Sequence, residues 1–260
     1  MAVFNNILSI LNDFEPIGLN ELNQKAALTS RVDKKYVIWP FQLPAILQHL
    51  KLTHQILQIN NQRVSNYRSI YFDTPDLSLY HAHHNGVAAR VKLRVRDYLD
   101  SNIQFFEIKN RTNKGLTSKR RTQFTESNLL NENLENAKNE FSRFINNKPI
   151  TESLKINYQR ITLVSKTSVE RITIDGNLNF NHGDAVASYD DRIIIEVKTE
   201  QLTHSSTDKL LKKLNIRDGS VSKYCLGITK LHPSIKKNYF KNDLHIIESQ
   251  LNKYVSTASN

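Results

Sequence analysis

The segment Arg90-Val-Lys-Leu-Arg-Val-Arg96 sets basic side chains at alternate positions, with only Val91, Leu93 and Val95 between them. A period of two belongs to a β-strand with one charged and one aliphatic face. The next run, Ile103 to Arg111, places Glu107, Lys109 and Arg111 on one face and Phe106 and Ile108 on the other. After the turn signal Asn113-Lys114-Gly115, the residues Thr117, Lys119, Arg121 and Gln123 alternate in the same way. Three such strands joined by short turns form an antiparallel meander with a mostly cationic face. From Val87 to Arg121 there are ten basic and three acidic residues, a local net charge of +7. Like charges directly opposite one another in a sheet repel, and an ordinary solvated face mixes signs. The richness in arginine, whose planar fork suits phosphate oxygens, makes this face a built anion site rather than a wetted surface.

The alternation recurs on either side. Arg31, Asp33 and Lys35 share parity against Val32, Tyr36 and Ile38, and Arg171, Thr173 and Asp175 alternate with Ile172 and Ile174. Arg160 ends the run that begins at Ile156, and Glu196 and Lys198 oppose Ile193, Ile195 and Val197. With a strand through Tyr67 to Phe72, seven or eight strands make the fold mainly antiparallel β with flanking helices (α+β). Helices are expected over Phe4–Phe14 and Leu19–Leu28, broken at Pro16-Ile17-Gly18, and from Pro40 to about Leu50. Asp73-Thr74-Pro75 reads as a capped turn opening a short helix toward Tyr80. Leu129, Leu130, Leu134, Ala137, Phe141, Phe144 and Ile145 make 125–146 an amphipathic helix, and further helices fall at Asp208–Leu214 and around Ser222–Leu231. The expected organisation is an N-terminal helical cap at 1–28, one domain at 29–249 and a disordered polar tail at 250–260.

Composition bounds the chemistry. The 260 residues carry 36 Lys and Arg against 25 Asp and Glu, a formal net charge of +11, which points to an anionic partner. A single cysteine, Cys225, excludes a disulfide framework and a structural zinc cluster and suits a reducing, cytoplasmic setting, to which peripheral attachment at a membrane would be compatible. No apolar run reaches the ~20 residues of a membrane span. With seven glycines and neither GxxxxGK[ST] nor GxGxxG, any phosphate must be held by side chains. Cys225 reads as a buried small hydrophobe, and His81, His83 and His84, which lack a carboxylate or thiol at ligand spacing, are left out of the site. Glu196 and Glu107 sit on faces that also bear cations. They are either ion-pair partners or ligands for a hard divalent ion, which takes one or two carboxylates and the oxygens of a substrate phosphate.

Nine motifs, in order, resemble one family. They are Arg31-Val-Asp-Lys-Lys-Tyr, the segment Tyr67 to Gly86 containing Tyr-Phe-Asp-Thr-Pro-Asp, Lys92-Leu-Arg-Val-Arg-Asp-Tyr, Phe106-Glu-Ile-Lys and Ser118-Lys-Arg-Arg. Tyr158-Gln-Arg, Arg171-Ile-Thr-Ile-Asp, Ile195-Glu-Val-Lys and Val221-Ser-Lys-Tyr complete the set. Together they are similar to the VTC domain, the polyphosphate polymerase domain of vacuolar transporter chaperone proteins and their bacterial relatives, over about residues 29 to 231. The resemblance implies the triphosphate tunnel metalloenzyme (CYTH-like) fold, a closed antiparallel β-tunnel with charged residues inside. It also implies transfer of the terminal phosphoryl group of a nucleoside triphosphate such as ATP to inorganic polyphosphate, with Mn²⁺ or Mg²⁺. By position the phosphate-binding cations fall on Lys35, Arg94, Arg96, Lys109, Lys119, Arg160, Arg171 and Lys223, and the metal carboxylate on Glu196; Glu107 is a second candidate from its strand face alone. Lys92, Arg121 and Lys198 share those faces and join the substrate-binding set, and Arg94, Arg96, Lys109, Arg160, Arg171 and Glu196 form the catalytic set. The wider superfamily opens with Glu-x-Glu-x-Lys, whereas this chain has Arg31-x-Asp33-x-Lys35, which removes one acid and adds a cation, as in the polymerase branch.

Two other functions share these residues: a triphosphatase on the same tunnel, and a non-catalytic module binding polyphosphate or nucleic acid. Single-stranded nucleic acid calls for aromatic platforms between the cations, and the residues between Arg90 and Arg96 are aliphatic, so no nucleic acid is expected. Fuller members of the family carry membrane helices, and no membrane segment is expected in this sequence; a separate membrane partner would be compatible with it.

Overall fold

The computed structural model describes residues 4–25, 32–125, 127–200 and 205–248. Arg31, the end of the expected second helix at 26–28, and the tail at 250–260 lie outside the described residues. Twelve strands form one sheet: β1 (Pro16–Ile17), β2 (Val32–Ile38), β3 (His54–Leu57), β4 (Ser65–Asp73), β5 (Arg90–Tyr98), β6 (Ile103–Arg111), β7 (Thr117–Phe124), β8 (Thr151–Ser165), β9 (Glu170–His182), β10 (Ala185–Tyr189), β11 (Ile193–Thr199) and β12 (Asp218–Gly219). The helices are α1 (Leu8–Asn12), α2 (Leu19–Lys25), α3 (Leu43–Leu50), α4 (Ser78–His84), α5 (Ser127–Glu140), α6 (Ser142–Ile145), α7 (Ser206–Lys213), α8 (Lys223–Leu231) and α9 (Lys241–Glu248). The helix expected over 125–146 is two, broken at Phe141, whose φ of −108° and ψ of 23° leave the helical region.

Neighbouring strands run β12-β2-β11-β9-β8-β4-β5-β6-β7, all antiparallel along this path. The closed barrel expected from the sequence is not formed: among the described residues β7 and β12 end the path without pairing to each other. From Thr117 to Gln123 every residue of β7 is exposed, and Lys119, Arg120 and Arg121 lie along it. At the other end β12 already covers Tyr36 and Lys35 of β2, and a charged edge of the kind β7 presents resists further pairing. The fold is a curled sheet of the tunnel type with an open seam.

The alternation of β5 is realised along its whole length: Val91, Leu93 and Val95 are buried, and Arg90, Lys92, Arg94 and Arg96 face the concave side. Helices cover the convex aliphatic faces. Val91, Leu93, Val95, Phe106 and Ile108 pack on Ala137, Phe141 and Ile145 of the α5–α6 region. On the other side Tyr36, Ile172, Ile174, Ile195 and Val197 pack with Phe4, Leu11, Ile46, Leu47 and Leu211. At about 25 cal/mol per Å² of apolar surface, burying each such side chain contributes roughly 1.5–3 kcal/mol, so these layers fix the parity of every strand.

The concave face is divided. A bulge in β9 sets Asn157 of β8 opposite Asn179 and Gln159 opposite Gly176, with Asn177 between them at a φ of 53°. It flips the parity of β9, so that Asp175 precedes the bulge on the concave face and Leu178 and Phe180 follow it there. Leu154, Ile156 and Phe180 then make an apolar seat for α8. Gly227 makes this seat workable: a Cβ there would lie 2.5 Å from Leu154 Cδ2 and 2.6 Å from Phe180 Cδ1. The helix fills one end of the concave face and turns its N-terminus toward the other.

Candidate active site

What α8 leaves is a cavity of about 510 Å³. It is lined by Lys35 and Asp33 of β2, Ser69 and Tyr71 of β4, Arg90, Lys92, Arg94 and Arg96 of β5, Glu107, Lys109 and Arg111 of β6, and Thr117 and Lys119 of β7. Tyr158 and Arg160 of β8, Glu196 and Lys198 of β11, Ser222 and Lys223 at the start of α8, His83 of α4 and Tyr239 complete the wall. Eleven lysines and arginines face it against the carboxylates of Asp33, Glu107 and Glu196, so most of the chain's +11 is gathered in one place.

Three carboxylates organise the cations. Glu107 is 1 % exposed; Arg94 Nε donates to its Oε2 at 2.7 Å, Lys119 Nζ to its Oε1 at 2.5 Å, and Arg96 Nη1 lies 4.0 Å away. Burial by itself would raise the Glu107 carboxyl, but Arg94, Arg96 and Lys119 outweigh it and hold the group well below the usual carboxylate range. Asp175 takes a fork from Arg160, at 2.6 and 2.8 Å, and a third bond from Lys223 at 2.5 Å. Burial opposes its ionisation too, and Arg160 and Lys223 still bring it down to about 2. Glu196 is looser: Lys198 Nζ stands 3.0 Å from Oε2 and Lys35 Nζ 3.4 Å from Oε1, and the carboxylate keeps 17 % of its surface. Against burial, Lys198 and Lys35, then Arg160 and Lys223, hold it ionised.

Elsewhere the cations exceed their counter-charges. Lys92 Nζ donates to Ser222 Oγ at 3.0 Å, and it faces Lys109 across the sheet. Burial, then Lys109, Arg90 and Lys35, outweigh the opposing influence of Cys225 and pull the Lys92 ammonium down to about 8. Burial likewise brings Lys119 to about 8 in spite of Glu107. The Nε atoms of Arg96 and Arg171 are buried without a hydrogen-bond partner among the described residues. The Arg96 donor, in a lining this positive, fits an anion with many oxygens.

Most of the expected site residues meet here: Lys35, Lys92, Arg94, Arg96, Lys109, Lys119, Arg160, Lys198, Lys223, Glu107 and Glu196 all line the cavity. Two do not. Arg121 is exposed, with its guanidinium 4.7 Å above the Phe105 ring, and Arg171 lies beyond the lining, near enough for the charges of Arg160 and Glu196 to act on it. Both oxygens of Glu107 accept from cations, Oε2 from Arg94 and Oε1 from Lys119. His83, for which the sequence offers no place in the site, lines the cavity, with Nδ1 2.9 Å from the thiol of the buried Cys225. Burial and the fields of Lys92, Arg90, Lys109 and Arg111 press its pKa down to about 2, so the imidazole is neutral. The signal for it was spacing across 142 residues, from His83 on α4 to Cys225 on α8, which no local pattern reveals.

Asp73 locks those two helices together. It accepts from the backbone N–H groups of Thr74, Leu79 and Tyr80, as a helix cap does, and from the Tyr224 hydroxyl at 2.5 Å. Tyr224 also stacks on Tyr71 at 4.9 Å between centroids. Lys223 and Ser222, next in sequence, are thereby aimed into the cavity. Among the described residues no group of three or more His, Cys, Asp or Glu side chains could hold a metal, so a bound ion would take Glu196 and complete its shell from substrate oxygens and water, as a hard divalent cation commonly does. No described helix is long and apolar enough to cross a membrane.

Comparison with known proteins agrees with this geometry. Among solved structures, a candidate adenylate cyclase from Bacillus halodurans superposes with a TM-score of 0.51 at 15 % identity, covering 74 % of this chain and 94 % of that one. A candidate adenylyl cyclase from Hippeastrum, described as having a dominant triphosphatase activity, gives a TM-score of 0.46 at 13 % identity over 78 % of this chain and 97 % of its own. No curated protein matches the sequence. The sequence profile of the VTC domain matches residues 30–232, more than three quarters of the chain, and the first of these structures has a similar fold. The chain belongs to the VTC domain family, on a fold of the triphosphate tunnel type.

Proposed function

We propose that the protein is a polyphosphate polymerase, moving the terminal phosphoryl group of a nucleoside triphosphate, ATP in the first instance, onto inorganic polyphosphate. The observation that carries this reading is the state of the three hub carboxylates. Glu107, Asp175 and Glu196 are each bound to at least two cations and held ionised, and His83 is a neutral imidazole tied to Cys225. A water nucleophile gains from a free general base, whereas the terminal phosphate of a polyphosphate chain is already an oxyanion. The lining therefore suits an acceptor that brings its own charge.

Catalysis in this reading is positioning and charge, as in other phosphoryl transfers. Arg94, Arg96, Lys109, Lys119, Arg160 and Lys223 surround the phosphates, and their N–H groups spread over the oxygens on which charge shifts as the bridging bond breaks. Arg171, Arg121, Lys35, Lys92 and Lys198 extend the same field. Glu196 keeps a carboxylate accessible to Mn²⁺ or Mg²⁺, and such an ion, when bound, would offset charge on the phosphate oxygens. The leaving nucleoside diphosphate and the lengthened chain conserve the transferred phosphorus.

The test is purified protein with ATP and Mn²⁺ or Mg²⁺, scored for phosphate chains and for orthophosphate. Chain growth matched by ADP is expected. Orthophosphate without chains would instead mean a triphosphatase, which the same cavity could serve. Polyphosphate binding without turnover on any nucleotide or divalent ion would reduce the protein to a binding module.

A further inference from the structure

The cavity has an aromatic residue at its rim that phosphate chemistry does not use. Tyr239 lines it while remaining 60 % exposed, and lies beyond residue 232, where the match to the VTC domain ends. Its backbone N–H donates to His84 Nε2 at 3.3 Å. The ring stands steeply inclined to those of His84 and Phe240, at interplanar angles of 65° and 86°, and a Cβ on Gly86 would sit 3.6 Å from its Cε2. Among the described residues no other ring lies stacked on a face of Tyr239, whereas the buried tyrosines Tyr67 and Tyr71 are stacked on Tyr158 and Tyr224. An exposed tyrosine with no other ring stacked on it offers a platform for a flat ligand.

Its place along the cavity says which ligand. Arg90, close enough for the two side chains to interact electrostatically, begins β5, and Arg111 pairs with it across the sheet. From Arg90 the inward residues Lys92, Arg94 and Arg96 descend at two-residue steps, a ladder about 20 Å long at ~3.3 Å per residue. The platform therefore stands at the level of the top rung, and the hub carboxylates Glu107 and Asp175 lie below. We propose that Tyr239 is a nucleobase subsite: the base of the nucleoside triphosphate stacks on its ring, the first phosphate meets Arg90 and Arg111, and the terminal phosphate reaches Arg94. This rests on the triphosphate reading above and adds to it a reason for taking a nucleotide rather than a bare phosphate chain.

Calorimetric titration of ATP and of inorganic tripolyphosphate into the wild type, Tyr239→Ala and Tyr239→Phe tests it. Loss of a base–aromatic stack weakens binding about 5- to 100-fold. The expected result is that loss for ATP with Tyr239→Ala, tripolyphosphate affinity unchanged within about twofold, and near wild-type ATP binding by Tyr239→Phe, whose ring is intact. Equal losses for both ligands, or no loss for either, would overturn the subsite while leaving the triphosphate site standing. A loss in Tyr239→Phe as large as in Tyr239→Ala would assign the effect to the hydroxyl and also overturn it. If the wild type binds neither ligand, the triphosphate reading itself falls.

Discussion

The two walls of the cavity carry the same kind of residue in the same alternation, and the structure treats them differently. On the meander wall, β5 to β7, Glu107 is buried under Arg94 and Lys119 with no oxygen to spare. On the facing wall, β2 and β11, Glu196 stands between Lys35 and Lys198 at longer distances and keeps contact with the cavity. A buried carboxylate that saturates its cations is a structural brace, because removing it strands positive charge in a poorly solvated place. A carboxylate that holds its cations loosely can exchange them for a metal ion or yield them to an incoming phosphate. The difference between brace and ligand lies in how completely the oxygens are occupied.

Four measurements press on that contrast. Glu107→Gln should cost the most in stability, roughly 3–5 kcal/mol, since it leaves Arg94 buried opposite an uncharged amide. Thermal denaturation should show a large fall in Tm, partly restored by tripolyphosphate. If the variant melts like the wild type, Glu107 is not a brace. Glu196→Gln should do the reverse, with a melting curve near that of the wild type and turnover reduced about 10²- to 10³-fold, together with a lost response to Mn²⁺ or Mg²⁺. Retained metal dependence would move the ligand elsewhere.

The third measurement follows from Lys92 and Lys119, which titrate near pH 8 in the folded protein, below the ordinary lysine value of about 10.4. Between those limits the unfolded chain binds more protons than the native one, so both groups make stability rise as pH climbs from 8 toward 10. Over the same span the lining loses charge, and tripolyphosphate affinity should fall. Binding at pH 8 should take up protons, measurable by calorimetry in buffers of different ionisation enthalpy; no uptake would mean that both lysines stay charged without ligand. The smallest effect belongs to Cys225→Ser. Burial raises the thiol's pKa, and turnover within about twofold of wild type is expected. Loss of activity with an unchanged melt would put the His83–Cys225 pair into the chemistry.

Much of the sheet was legible because its periodicity is local. The parity of β5 and β6 follows from Val91, Leu93, Val95, Phe106 and Ile108 alone, and eleven of the site residues inferred from those patterns and from the family motifs do line one cavity. What escaped was whatever depended on distant partners. The bulge at Asn177 turns β9 over in mid-strand, so the rule that inward residues are charged holds at Asp175 and fails at Phe180. The open seam lies between β7 and β12, strands far apart in the chain, and His83 and Tyr239 enter the site only because Asp73 ties α4 to α8 and the C-terminal residues fold over both.

The sequence by itself determined that this chain would build an antiparallel sheet with one cationic face, because side-chain parity and charge spacing are properties of neighbours. Tertiary structure decided which carboxylate became brace and which stayed accessible, where α8 stopped the cavity, and which aromatic ring reached the rim. Those outcomes depend on distances between residues separated by up to about 150 positions, fixed only when the aliphatic layers close around the sheet.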